Sequence, residues 1–228
     1  LASNSLFEQA NKLYQQEKYE QAIAFYDSIQ QNGLQSEALF YNMGNAYYKL
    51  QSWPESILYY EKVIKTDVNH EDALYNLQLA NLKIVDKIEG IPLLFFQKWG
   101  NAIIAFFPMD YWAVFCLLLL WIFLLFFILK KLTHLQLPKH LLTILICCSA
   151  FAFVCANRQY NQKKVQKTAI IFTSSVVIKS APSYNASDLF SLHAGSKISI
   201  TDQIGEWIHI SLINGNKGWM LKENCQEI

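Results

Sequence analysis

From residue 3 to about residue 88, apolar positions recur at three- and four-residue intervals: Leu6, Ala10, Leu13 and Tyr14, then Tyr19, Ala22, Ile23 and Tyr26. That is the period of amphipathic helices turning one face to a core. The pattern vanishes between Tyr111 and Leu129, which read YWAVFCLLLLWIFLLFFIL without a charge. At the rise of an α-helix this run spans about 28 Å, close to the thickness of a bilayer core. A soluble core helix needs a polar face, and this one has none. Lys130 and Lys131 end it. A second run, LLTILICCSAFAFVCA from Leu141, is interrupted by Thr143 and Ser149 and closed by Arg158. Hydroxyls are tolerated in lipid because they bond back to helix carbonyls. Two transmembrane helices are therefore predicted, 111–129 and 141–157, joined by a short loop over 130–140. The alternative for the second run is a re-entrant or amphipathic segment.

Between the helical region and the first span lie Gly90, Pro92 and a segment rich in rings: Phe95, Phe96, Trp99, Phe106 and Phe107. Residues 91–110 are predicted to form an interfacial amphipathic helix, since aromatics favour the headgroup boundary. A soluble helix docked on the preceding region is the alternative. After Lys167 the period changes to two. Residues 169–172, 175–179, 197–200, 206–212 and 218–221 read as short strands, with Asn214-Gly215 as a hairpin turn. Five or so strands in about 60 residues suggest a small barrel.

The helical region repeats itself. Ser36-Glu37-Ala38-Leu39-Phe40-Tyr41-Asn42 returns as His70-Glu71-Asp72-Ala73-Leu74-Tyr75-Asn76 at an offset of 34. The same offset relates Ala10 to Gly44, Ala22 to Ser56 and Tyr26 to Tyr60. Small residues at the first two pairs let helix backbones approach, and the tyrosines fill the next layer. The period and these positions resemble the tetratricopeptide repeat (TPR). The likeness covers residues 1–90: two full repeats at 3–36 and 37–70, and a capping helix at 71–88. Leu34 and Val68 stand where that family usually has Pro. An N-terminal α-solenoid is expected. Its groove would carry Asn4, Phe7, Asn11, Tyr14, Tyr41, Asn45, Tyr48, Lys49 and Tyr75. For each Tyr, plain helix packing is the competing role. One TPR subfamily clamps a C-terminal carboxylate with two Asn and three basic residues. Asn11 and Asn42 match, but the basic positions hold Phe7, Asp72 and Asn76, so no clamp is expected.

The C-terminal residues VVIKSAPS (176–183), LFSLHAGSKISI (189–200) and GEWIHISLINGNKGWM (205–220) resemble the bacterial SH3-like domain. That likeness implies a small closed barrel over 168–228, with Lys179, Trp207 and Trp219 as a candidate ligand surface. Lys179 replaces the family's usual Arg. Some members of that family bind cell-wall peptides.

Charge sharpens the division. Of 228 residues 16% are charged, against about 25% in ordinary soluble domains, while 53% are hydrophobic and mean hydropathy is +0.14. The net charge of +1 argues against a nucleic-acid partner. Residues 1–90 hold 12 acids against 7 bases, and residues 91–167 hold one acid, Asp110, against 8 bases. The positive charge thus surrounds the apolar runs, where anionic headgroups lie. Lys130, Lys131 and Lys139 favour a cytoplasmic loop, although Arg158, Lys163, Lys164 and Lys167 pull the other way. Leu1-Ala2-Ser3 looks like the tail of a removed signal peptide, a truncated chain being the alternative. The expectation is a multi-pass inner (cytoplasmic) membrane protein with both terminal domains in the periplasm.

No nucleotide loop, GxSxG or HExxH motif is present. Four of the five Cys fall in the apolar runs, and Cys225 is alone in its module. His193 and His209 lack metal-ligand spacing. No cofactor, metal or catalytic residue is expected. The order of helical repeats, membrane hairpin and β-module resembles the TPR- and SH3-containing membrane proteins of Bat (Bacteroides aerotolerance) operons. This likeness implies a non-catalytic scaffold or adaptor in a Bacteroidetes-type envelope complex linked to oxygen tolerance, with membrane or periplasmic proteins and the bilayer as partners. The alternative is an envelope sensor whose C-terminal module binds peptidoglycan.

Overall fold

The computed structural model describes residues 2–92, 94–133, 138–165 and 167–228. The chain divides into two compact units, one formed by Leu1–Ile91 with Lys167–Ile228, the other by Pro92–Gln166.

The first unit opens with five helices: α1 (Ala2–Gln15), α2 (Tyr19–Gln31), α3 (Glu37–Lys49), α4 (Trp53–Thr66) and α5 (Glu71–Asn81). The 34-residue period governs their local geometry. Ser36 caps α3 by accepting from the Leu39 N–H at 3.1 Å, and His70 caps α5 by accepting from the Ala73 N–H at 3.2 Å. The turns inside the two helix pairs pass through Glu17 and Gln51, both at φ 61°. Pro54 sits in the first turn of α4, where no intrahelical N–H is needed. Ala10, Ala22, Tyr26, Leu39, Met43, Ala46, Leu58 and Tyr60 are buried between the helices. A Cβ at Gly44 would stand 2.7 Å from the Tyr60 ring, so only glycine admits this close approach.

α5 ends earlier than the capping helix expected over 71–88. Residues 82–91 run as an irregular segment along the C-terminal module. Ile84 joins the helical core and Ile88 the sheet core. The Ile91 N–H donates to the Ile213 carbonyl at 3.4 Å.

The C-terminal module corrects the expectation of a small SH3-like barrel. It is an open antiparallel sheet of seven strands: β1 (Lys167–Ile171), β2 (Ser175–Lys179), β3 (Asp188–His193), β4 (Lys197–Ile204), β5 (Trp207–Ser211), β6 (Lys217–Leu221) and β7 (Cys225–Glu227). The order is β3-β2-β6-β5-β4-β1-β7, so β3 and β7 are edges and do not pair. The physical reason lies at the β1–β7 side. Ile170, fully buried, belongs to the helical core, and Phe172 and Ile228 pack against it. Helices thus cover one face of β1, and β3 and β7 remain the unpaired edges of an open sheet. The inner face is apolar: Ala169, Ile171, Val176, Ile178, Leu192, Ile198, Ile208, Ile210 and Met220.

The second unit holds α6 (Phe95–Ala105), α7 (Met109–Thr133) and α8 (Lys139–Val165). Two stretches are long and apolar enough to cross a membrane, Met109–Leu132 and His140–Asn161. Both exceed the expected bounds, because the helical backbone continues past the last apolar residue into Lys130–Lys131 and beyond Arg158. Part of the expected 130–140 loop, residues 134–137, lies outside the described residues. α7 and α8 pack antiparallel through small side chains. Ser149 and Cys116 meet at 3.3 Å, Ser149 donates to the Cys116 carbonyl at 3.2 Å, and Ala152 and Cys155 are buried beside Trp112. Small residues at the contact let the two helices approach closely.

Candidate functional site

Helices α1, α3 and α5 place chemically equivalent residues in columns. One column is Phe7, Tyr41 and Tyr75; another is Tyr14 and Tyr48. Asn11 and Asn45 occupy the turn between them.

The asparagines are tied into two hydrogen-bond sets related by the same 34-residue offset. In the first, the Tyr26 hydroxyl donates to Asn11 Oδ1 at 2.6 Å, and Asn42 Nδ2 donates to the same oxygen at 2.9 Å. In the second, Tyr60 donates to Asn45 Oδ1 at 2.7 Å and Asn76 Nδ2 donates to it at 3.0 Å. Each set joins the two helices of one repeat to the first helix of the next. Both lone pairs of each asparagine carbonyl are thereby used. The pair Asn11–Asn42, which a carboxylate clamp would aim at a ligand, is bonded to itself.

Burial of the Tyr26 phenol, more than any other influence, pushes its pKa up to about 12, with the Asn42 hydrogen bond pulling the other way and nearby Tyr14 adding to the rise. Burial likewise raises Tyr60, and hydrogen bonds with Ser56 and Asn76 offset only part of that. Both rings therefore remain neutral donors at physiological pH.

The aromatic column is held rigidly at its centre. Tyr41 stacks on His70 with ring centroids 5.1 Å apart, packs on Tyr60 at 6.2 Å, and its hydroxyl accepts from Asn76 at 3.2 Å. His70 Nδ1 accepts from a backbone N–H, so the ring proton sits on Nε2, which faces Glu37 Oε1 at 3.5 Å. Phe7 packs on Tyr26 at 5.9 Å, Tyr14 on Tyr19 at 5.2 Å and Tyr48 on Trp53 at 5.2 Å. Tyr75 is 63% exposed and Lys49 is exposed. Asn4 lies in α1, and its side chain is outside the described ones. The columns offer a face of half-buried rings ending in one open ring.

Residues singled out in the C-terminal module are spent internally. Lys179 Nζ pairs with Asp188 at 2.7 Å and donates to the Tyr184 and Ala186 carbonyls at 3.2 and 3.3 Å. Trp207 is 8% exposed and packs on Tyr184 at 5.1 Å. Trp219, half-buried on β6, packs on His209 at 5.0 Å and lies opposite Lys179 in the register.

A second cluster was invisible to sequence reasoning. The Asp86 carboxylate accepts from the His193 backbone N–H at 2.6 Å, meets His193 Nδ1 at 2.9 Å and accepts from the Ser196 hydroxyl at 2.5 Å. Nearby, Lys197 pairs with Glu61 at 2.6 Å. Asp, His and Ser together suggest a nucleophile, but the bonding excludes it. The serine proton is directed at the carboxylate, not at an imidazole nitrogen that could remove it. The cluster fastens the β3–β4 turn to the helical part of the unit. Among the described residues no group of three or more His, Cys, Asp or Glu side chains could hold a metal ion.

No family model matches the chain, and no curated protein matches it.

Proposed function

We propose that this protein is a membrane-anchored, non-catalytic adaptor of the TPR type that holds a partner protein against the α1–α3–α5 face. The observation that carries this reading is the 34-residue recurrence of the Asn–Tyr hydrogen-bond sets, which fixes a column of aromatic rings ending in the open Tyr75. Rigid rings bind at low entropic cost, because little side-chain freedom remains to be lost. The resemblance to Bat-operon proteins adds an aerotolerance-related envelope complex as the setting.

Residues 92–166 supply the anchor as a two-pass hairpin in the inner membrane. Both flanking segments contribute to one packed core, with Ile170 among the helices. A bilayer cannot pass through such a core, which favours an even number of crossings and both terminal parts on one side. The bases Lys130, Lys131 and Lys139 favour the cytoplasm for the hairpin loop, hence the periplasm for the folded unit. The envelope-sensor alternative gains no support from Trp207 and Lys179, which are engaged within the module.

The test is site-specific photocrosslinking in native membranes of the full chain. A benzophenone amino acid at Tyr75 should yield a discrete adduct that Tyr41→Ala abolishes and that is absent with the probe at Glu20. Equal labelling from both positions, or none from either, would overturn the adaptor reading.

A further inference from the structure

We propose that α6 is a lipid-facing belt that lies in the headgroup boundary of the bilayer and sets the depth of the hairpin. This rests on the membrane reading above and on the interfacial helix expected over 91–110, and deepens both by fixing where that helix docks and what depth it sets.

Three observations carry it. First, α6 is fastened to one end of the hairpin. Ile104 is buried with Trp112, Cys116, Ala152 and Cys155. The C-terminal carbonyls of a helix have no intrahelical donor, and here the hairpin supplies donors. Trp112 Nε1 donates to the Ile104 carbonyl at 3.0 Å. Gln159 Nε2 donates to that same carbonyl and to the Phe107 carbonyl at 2.8 Å. Second, Gln159 lies near the end of the stretch His140–Asn161, and Met109 begins the stretch Met109–Leu132. α6 therefore docks where both candidate spans meet the membrane boundary. Third, apart from Gln97, Lys98 and Asn101, α6 and the short turn after it present uncovered apolar side chains. Phe95, Phe96, Trp99, Ile103 and Phe106 are exposed, Trp99 by 72%.

Trp99 and the sparse charge suit that depth. Lys98 is the only charge on α6, and there is no acid to repel anionic headgroups. Rings with an apolar body and a polar edge concentrate at the interface rather than in the hydrocarbon. In water the same face would be an aggregation hazard. Tyr111 and Tyr160, at the same end of the hairpin, are exposed too and continue the aromatic girdle.

The experiment uses the full chain, labelled with fluorotryptophan, in lipid nanodiscs. The six Trp resonances are assigned by single Trp→Phe changes. Broadening is compared for three agents: a water-soluble gadolinium chelate, a phosphatidylcholine with a nitroxide near its glycerol, and one with a nitroxide at its chain end. Trp99 should be broadened most by the glycerol-level nitroxide, several-fold more than by the chelate. Trp121, midway along α7, should respond to the chain-end nitroxide and Trp219 to the chelate. If Trp99 responds to the chelate like Trp219 while Trp121 stays lipid-bound, the belt is wrong and the hairpin stands. If Trp99 is shielded from all three, protein covers α6 and the belt is again wrong. If Trp121 also answers to the chelate, the membrane reading itself fails.

Discussion

Asp86 and Ser196 stand 110 residues apart in the chain, and the Ser196 hydroxyl donates to the Asp86 carboxylate across 2.5 Å. With the His193 backbone N–H on the same oxygen, this carboxylate ties the segment after α5 to the β3–β4 turn. The helical array and the sheet are held as one body by that contact, by Glu61–Lys197, and by the burial of Ile170.

Asp86 makes the unit sensitive to acid. Burial alone would raise its pKa, but the Ser196 and His193 hydrogen bonds outweigh burial and hold it below the ordinary carboxylate value. A depressed folded pKa stabilises the fold above the unfolded value, near 3.9, and that contribution is lost as pH falls through the folded pKa. Asp86→Ala should weaken the unit at neutral pH by about 1–3 kcal/mol, the scale of hydrogen bonds to a charged group. It should also flatten the acid limb of stability. Hydrogen exchange of the β1 amides from about pH 2 to about pH 7 reads both effects, and unchanged protection would dismiss the contact as incidental.

Tyr26 gives the opposite dependence. Its folded pKa of about 12 exceeds that of an unfolded tyrosine, so its contribution is complete below pH 10 and disappears as pH rises through about 12. Alkaline unfolding followed by tyrosinate absorbance should be cooperative in this range. Tyr26→Phe should shift the onset upward, because one buried phenol fewer then demands ionisation, while lowering neutral stability by about 1 kcal/mol through the lost hydrogen bond.

Two backbone positions should respond in opposite senses. Gly44→Ala drives a Cβ into the Tyr60 ring and should destabilise the helical array by about 1–3 kcal/mol, as overpacking does. Gln51→Gly removes a side chain from a left-handed residue at φ 61° and should stabilise by about 0.5–1 kcal/mol. Thermal melts of the purified chain decide both. Equal signs would contradict the geometry at one of the two.

The hairpin contact offers a covalent check. Ser149 Oγ and Cys116 Sγ are 3.3 Å apart. Ser149→Cys should therefore form a disulfide with Cys116 under mild oxidation, detected by mass spectrometry of a chymotryptic digest. The same oxidant should leave the parent chain unlinked at Cys116. Failure to bridge would mean that α7 and α8 are packed in another register.

The helical elements were legible because their packing is local: apolar residues at helical spacing and identities 34 apart point to the same faces. The recurrence of Asn42 and Asn76 was visible as well, but their partners were not, since a bond from Asn42 to Asn11 crosses from one repeat to the next. The end of α5 at Asn81 was illegible. Leu82 through Ile88 keep apolar residues that a helix could use, and only the presence of the sheet draws Ile84 and Ile88 to different cores. The opening of the sheet was illegible for the same cause. Alternation identified the strands, yet nothing in Ala169–Phe172 tells that Ile170 faces helices while Ile171 faces strands. Trp207 and Lys179 were expected on a ligand surface only by resemblance, since spacing cannot separate a platform from a core ring. Asp86, His193 and Ser196 carried no motif at all.

Ile170 also sets the order of biosynthesis. The helical array emerges from the ribosome first, yet Ile170 of its core is encoded after the hairpin, and Ile228, later still, packs on that core. The early helices must therefore wait with an unfilled gap until Ile170 has been synthesised. Such long-range completion is slow. Any truncation of the final strand should leave these helices exposed to quality-control proteases, although their own sequence is intact.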